Sequence, residues 1–409
     1  MLNKGFFSAS SFSSKKTLSS LPKCGACGLY KHCDSPKMKP SGDGHKSILI
    51  VGEAPGRAED EEGIQFIGKS GRFLEDQLEH IGINMRKDCW ITNSIVCRPP
   101  QNATPSPAQI EFCRPLLFAT IKTLQPKVIL LVGGTAVKSL IGHIWKKDPG
   151  AISKWAGWNI PDQTLNAWIC PVYHPAYILR LHSKAADVIN LRHLKTACSR
   201  KGRPWKKVPN YKEQVEVLVD TEEAADRIHK IIKQGGRAAF DYETNMLKPD
   251  NDQARIVSCS ICHEGKTTIS FPLVKKTTSA LISFLRSTRV KKIAVNFKFE
   301  DRWSRAVLHT EVRKWEADPM LSAHFLDNRS GITGLKFQAY VKLGIPDYST
   351  DTRPFFTGKE KGSNSENRIH EVDLPTLLLY GGLDSLLAYK VYQSQRRKLN
   401  EPEEKRLRF

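Results

Sequence analysis

The chain has 409 residues, room for two or three domains at roughly 100–200 residues each, and its 40% hydrophobic against 26% charged residues exclude a disordered or collagen-like polymer. The longest strand-like apolar run, Val128-Ile129-Leu130-Leu131-Val132, is far below the ~20 residues of a bilayer-spanning helix. Lysine and arginine outnumber aspartate and glutamate by 21 (63 against 42), a surplus that favours a polyanionic partner, nucleic acid ahead of an acidic membrane. Ten cysteines without a secretory leader point to a reducing compartment and to metal or cofactor use rather than a disulfide framework. The expected location is therefore the cytoplasm.

Residues 1–20 are rich in Ser and Lys and hold no acid. They read as a flexible basic arm, with an organelle transit peptide the less favoured reading. Strands are expected over 48–51, 90–96, 128–132 and 168–172, and helices over 69–80, 107–124 and 134–141. That alternation implies a mostly parallel sheet between helical layers over 21–197. Pro, Gly and basic residues then interrupt it, so 198–212 reads as a linker. A second unit over 213–397 starts with a strand at 215–219 and a helix at 221–234 whose N-cap is expected at Thr221. Strands at 237–242, 255–261 and 267–271 follow, then a helix at 278–285, a strand at 292–296 and a mainly helical remainder. This order predicts a mixed sheet with a helical flank, ending in a charged tail over 398–409.

Cys24-Gly25-Ala26-Cys27 is a C-x-x-C pair, with Cys97 and Cys113 downstream. Such thiolates can ligate zinc or an iron–sulfur cluster, zinc leading on spacing alone, and Cys33 competes for the fourth place. Cys89, Cys170 and Cys198 read as buried thiols. The turn Gly52-Glu53-Ala54-Pro55-Gly56-Arg57 follows a strand and brings a carboxylate to the edge of the sheet where α/β proteins bind ligands. Downstream lie Glu59-Asp60, Gln65-Phe66-Ile67-Gly68, Asn93, Cys97-Arg98-Pro99-Pro100, His174-Pro175 and Leu179-Arg180.

Taken in order, these motifs over 21–192 resemble the family 4 uracil-DNA glycosylases. The resemblance implies a three-layer α/β/α fold and a 4Fe–4S cluster on Cys24, Cys27, Cys97 and Cys113, leaving Cys33 spare. It assigns Glu53 to water handling, Phe66 to stacking on an extruded base, Asn93 to the uracil edge and His174 to the oxygen that gains charge. An amide can both donate and accept, so it suits uracil O4 and N3, while a donor at O2 and a carboxylate near the sugar stabilise the charges that develop as the bond breaks. Ile178-Leu179-Arg180 suits a wedge into the vacated stack, with Arg180 on phosphate.

Further on, Asp241 and Glu243 stand two residues apart on a strand and so share a face. Asn296-Phe297-Lys298-Phe299-Glu300-Asp301 and Tyr380-Gly381-Gly382-Leu383-Asp384 add more acids. Clustered carboxylates in so basic a chain repel one another unless divalent cations sit between them, and paired metals activate water for attack on a phosphodiester. The set resembles the DEDDy 3′–5′ exonucleases of the family A DNA polymerase type, helped by Asp318-Pro319-Met320-Leu321 and Gly334-Leu335-Lys336. That resemblance implies a ribonuclease H-like α/β fold, two Mg²⁺ or Mn²⁺ ions on Asp241, Glu243, Glu300 and Asp384, and Tyr380 orienting the attacking water. It leaves a choice at the second motif between Glu300, favoured by register, and Asp301. Cys259 and Cys262 read as strand residues.

The two resemblances together imply a bifunctional enzyme of DNA repair or replication that releases uracil and trims 3′ ends, in a bacterial or phage-infected cell. Some phage polymerases resemble this arrangement but continue into a polymerase domain, which is not expected here, so a separately encoded DNA polymerase is an expected partner. The alternative is a proofreading subunit of a split polymerase whose first domain binds DNA or senses uracil without catalysis.

Overall fold

The computed structural model describes residues 21–146, 148–356 and 364–400. The basic arm expected over 1–20 and positions 401–409 of the expected tail lie outside the described residues. The chain divides into two compact units between Lys207 and Val208.

In the first unit, α1 (Cys24–Cys27) leads to β1 (Ile48–Gly52), α2 (Arg57–Glu62), α3 (Lys69–Glu79), α4 (Met85–Asp88), β2 (Cys89–Asn93) and α5 (Pro107–Leu124). Then come β3 (Val128–Val132), α6 (Gly134–Ile144), β4 (Ile160–Asp162), β5 (Ala167–Val172), α7 (Pro175–Leu181) and α8 (Lys184–Cys198). The sheet runs β2-β1-β3-β5-β4, parallel except for β4, which pairs antiparallel with β5. β1 and β3 are buried along their whole length. That explains their unbroken apolar sequences, since helices cover both faces of a parallel sheet. α5 starts where the sequence places it because Ser106 Oγ accepts from Gln109 N (3.2 Å), Gln109 Oε1 accepts from Ser106 N (2.8 Å), and Pro107 has a preset φ.

β2 stops at Asn93, short of the expected 96. The amides of Ser94 and Ile95 turn back to the carbonyls of Gly52 and Glu53 (2.9 and 3.0 Å), which ends the strand beside the loop after β1. The basic stretch after α8 is fastened down. Arg203 donates to the carbonyls of Asn166 and Gln125 (3.0 and 3.1 Å), and Trp205 Nε1 donates to the Pro161 carbonyl (3.3 Å).

The second unit contains β6 (Val215–Val217), α9 (Thr221–Gln234), β7 (Gly236–Thr244), β8 (Ile256–His263), β9 (Thr267–Pro272), α10 (Lys275–Arg286) and β10 (Val290–Ile293). It continues with α11 (Phe297–Val307), β11 (Trp315–Ala317), α12 (Pro319–Leu326), α13 (Leu335–Leu343) and α14 (Leu374–Leu399). Its sheet runs β11-β10-β7-β8-β9-β6, with β7, β8 and β9 antiparallel and the other pairings parallel. Phe240, Phe271, Phe284 and Trp303 fill the core on one side, and α14 packs across β6 to β9.

Two local expectations are corrected. The cap of α9 is Asp220, not Thr221, because its carboxylate accepts from the amides of Glu222 (2.8 Å) and Glu223 (3.3 Å). The strand expected over 292–296 is β10, which ends at Ile293, and Asn296 takes a left-handed φ of 63° to open α11.

Candidate active sites

The first site forms at the C-terminal edge of β1, β2, β3 and β5. In the parallel register Gly52 stands opposite Asn93, and Asn93 is buried. A Cβ built on Gly52 would lie 2.3 Å from Asn93 Oδ1 and 2.6 Å from Phe66 Cζ, so the bare glycine lets the amide and the ring meet over the strand end. Phe66 adopts φ 57°, which an L-residue holds only under restraint. Arg86 supplies that restraint by donating to the carbonyls of Gln65 (2.8 Å) and Phe66 (3.1 Å). The loop before the ring is fixed by Glu59, whose two carboxylate oxygens accept from Gly56 N (3.0 Å) and Gly68 N (2.9 Å).

Glu53 follows β1 directly, and its Oε2 accepts from Thr135 Oγ1 at 2.5 Å, so the first turn of α6 orients the carboxylate. His174 caps α7, with Nδ1 accepting from Ala176 N at 3.2 Å. Burial and the Arg180 charge lower its pKa, against an upward pull from Glu53. The neutral ring therefore carries its proton on Nε2, away from the helix. Gly133, at φ 92°, lets the chain pass close by: a Cβ there would lie 3.0 Å from His174 Cβ. On α7, Leu179 is half-buried and Arg180 exposed. Ile178 is not free to act as a wedge, since at 2% exposure it belongs to the packed face of the helix.

Cys24, Cys27, Cys97 and Cys113 line one hollow together with Leu29, Ile95 and Phe112. Cys33 lies outside that lining but near Cys97. Burial pushes the Cys97 thiol up to about 11 and Cys113 up to about 12, so a metal centre is what would make thiolates of them. The four thiols surround one hollow, a donor set that suits a metal centre. Cys89 and Cys170 are fully buried, as are Cys259 and Cys262 on β8. Cys198 is partly exposed.

In the second unit, carboxylate oxygens of Asp241, Glu243 and Asp384 all lie within 4.8 Å of one another. Asp241 and Glu243 project from one face of β7 toward α14, where Tyr380 and Asp384 stand one turn apart. The helix approaches closely because of Gly382. A Cβ on Gly382 would meet Val215 Cγ1 at 2.3 Å, one on Gly381 would meet Glu243 Cγ at 3.4 Å, and Ser260 Oγ donates to the Gly381 carbonyl (2.7 Å). Burial, and then neighbouring carboxylates, raise the pKa of Asp241 and Glu243 well above the usual range.

Glu300 is 2% exposed, and its Oε2 has no hydrogen-bond partner. Burial first and Asp241 second raise its pKa. Asp301 points elsewhere and pairs with Arg305 at 2.7 Å. The start of α11 is held by Asp318, which accepts from the amides of Asn296 (3.0 Å) and Phe297 (3.2 Å). The Tyr380 phenol is raised by burial and by the three carboxylates, and its ring packs on Phe356, centroids 5.1 Å apart. Together these groups can hold divalent metal and carry a neutral phenol beside it.

Residues 40–199 match the Uracil DNA glycosylase superfamily, and residues 217–400 match a 3′–5′ exonuclease family. The Type-4 uracil-DNA glycosylase of Thermotoga maritima is 35% identical over 179 residues, which cover 43% of this chain and 88% of that protein. The Type-4 uracil-DNA glycosylase of Pyrobaculum aerophilum is 34% identical over 163 residues, 39% of this chain and 81% of that protein. The chain belongs to the type-4 uracil-DNA glycosylase family. Its second unit holds the match to the 3′–5′ exonuclease family. A DNA polymerase of Bacillus phage SP01 is 26% identical over 338 residues, 74% of this chain but 35% of that protein.

Several residues of this type-4 glycosylase escaped sequence reasoning. Thr135 is 82 positions from the Glu53 it holds, and Arg86 acts through backbone carbonyls. In the exonuclease domain, Lys336 and Tyr348 both bond Asp384 Oδ1. The sequence signal for Lys336 was present in Gly334-Leu335-Lys336, but that motif carries no chemistry by itself. Among the described residues no helix is long and apolar enough to cross a membrane.

Proposed function

We propose that the chain removes uracil from DNA with residues 21–197 and degrades DNA from 3′ ends with residues 213–397. In the first site an extruded uracil stacks on Phe66, and the Asn93 amide pairs with O4 and N3. As the C1′–N1 bond breaks, its electron pair moves to the base. The His174 Nε2–H donates to O2, where negative charge collects, while Glu53, oriented by Thr135, faces the cationic sugar and aligns the water that adds at C1′. Leu179 fills the gap in the stack, and Arg180 meets phosphate. Cys24, Cys27, Cys97 and Cys113 would hold a 4Fe–4S cluster, which when bound cross-links α1, the loop after β2 and α5.

In the second site Asp241, Glu243, Glu300 and Asp384 would hold Mg²⁺ or Mn²⁺, which when bound supply an activated water and offset phosphate charge. The orphaned Glu300 oxygen supports Glu300 over Asp301 as the second-motif ligand. Tyr380 stays protonated and donates a hydrogen bond to position the water. The likeness to a phage DNA polymerase supports action alongside DNA synthesis, with a DNA polymerase as partner and the cytoplasm of a bacterial or phage-infected cell as the setting.

The observation that carries this reading is the meeting of Asn93 and Phe66 over Gly52, beside a His174 that feels the charge of Glu53. Anaerobically purified protein should be brown, carry about four iron and four sulfide per chain, and release uracil from a single-stranded oligonucleotide in EDTA. A colourless protein that binds uracil-containing DNA without releasing the base would overturn the catalytic reading.

A further inference from the structure

Lys336, on α13, is a cation seated inside the carboxylate cluster. Its Nζ pairs with Asp384 Oδ1 and also reaches Tyr348 Oη at 2.9 Å, while the Tyr348 hydroxyl donates to the same Asp384 oxygen. The ammonium lies 4.1 Å from the centre of the Tyr348 ring and 4.6 Å from that of Tyr380. Both Asp241 and Glu243 feel its charge. An oxygen of Asp384 that belongs to the only close carboxylate triad among the described residues is thus already occupied by a positive group.

We propose that Lys336 is a built-in counter-cation: it holds Asp384 in place in the metal-free site and gives up that oxygen when a divalent ion enters. The inference rests on reading Asp241, Glu243 and Asp384 as a metal site. Three carboxylates this close repel one another, and a tethered ammonium relieves the repulsion without outside help. An incoming ion competes with it for the same oxygen, so Lys336 lowers metal affinity as it stabilises the empty site. The two tyrosine rings give the displaced ammonium a seat, because a cation over an aromatic face keeps part of its stabilisation. Lys336 is a positioning residue for the nuclease reaction, and it sets the metal concentration at which the site fills.

The test is Mn²⁺ binding to the full chain, followed by the electron paramagnetic resonance signal of free Mn²⁺, with Asp241→Ala as the blank. Lys336→Met should bind Mn²⁺ roughly tenfold or more tightly than the unaltered chain, since one positive charge has left the site. Lys336→Arg, which keeps the charge, should stay within about threefold of the unaltered chain. Without metal, Lys336→Met should melt at a lower temperature than the unaltered chain, and saturating Mn²⁺ should remove the difference. A purely structural lysine would weaken Mn²⁺ binding when removed, so equal or weaker binding by a folded Lys336→Met overturns the proposal. If that variant does not fold, Lys336→Gln is read by the same criterion. If the unaltered chain and Asp241→Ala bind Mn²⁺ alike, the metal-site reading itself fails, and the proposal with it.

Discussion

At the residue scale, the glycosylase site depends on what Gly52 lacks. An alanine there would drive a methyl group to 2.3 Å from Asn93 Oδ1 and 2.6 Å from the Phe66 ring. Displacing a recognition group by ~1 Å costs on the order of a hundredfold in rate. Gly52→Ala should therefore cut single-turnover uracil release by about that factor while 3′ degradation continues, and release within threefold of the unaltered chain would contradict the packing argument. His174 gives a pH prediction. Burial lowers its pKa below the ordinary 6.5, so the neutral, Nε2-protonated ring is the majority form at neutral pH and is lost only as pH falls through that lowered value. The acid limb of uracil release should lie below 6.5; release that increases as pH falls through that range would mean that the charged imidazolium is the working form. Glu53, Asn93 and His174 stood out in sequence because each lies at or just beyond the end of an apolar strand. Arg86 was not, since an arginine that restrains a carbonyl 20 positions away leaves no local pattern.

Among the elements, α14 is the one whose sequence and packing are most tightly bound together. Tyr380 and Asp384 share its active face, and the intervening Gly382 lets the helix approach β6. Gly382→Ala would place a Cβ 2.3 Å from Val215 Cγ1, a backbone-borne overlap that costs about 1–3 kcal/mol. A melting transition lowered by roughly 2–4 °C per kcal/mol should be seen by calorimetry, together with slower Mg²⁺-dependent degradation. An unchanged transition would show that α14 shifts without cost. The long helices and the buried parallel strands were readable from periodicity. β4 was missed because a three-residue edge strand with Pro161 at its centre shows no alternation. Residues 198–212 read correctly as basic and Pro-containing, yet Arg203 and Trp205 are pinned by backbone carbonyls that no composition argument reveals.

For the molecule as a whole, the surplus of 21 positive charges coexists with a carboxylate triad confined within 4.8 Å. The charge draws in the DNA backbone without regard to sequence, and the acids act only where cations screen them. The two motif sets were visible because each falls as short runs in a fixed order along the chain, the first at strand ends and the second on β7, α11 and α14. The counter-charge from Lys336 was hidden because it comes from a helix 48 residues before Asp384. Two separate reaction centres on one chain must be separable by mutation. The most direct measurement uses one 5′-labelled oligonucleotide with a single internal uracil, incubated with Mg²⁺ and resolved before and after alkali. The unaltered chain should give both an alkali-labile break at the uracil and a ladder of 3′-shortened products; Asn93→Ala should keep only the ladder, and Asp241→Ala only the break. Loss of both products in either variant, with the fold intact, would contradict two independent centres.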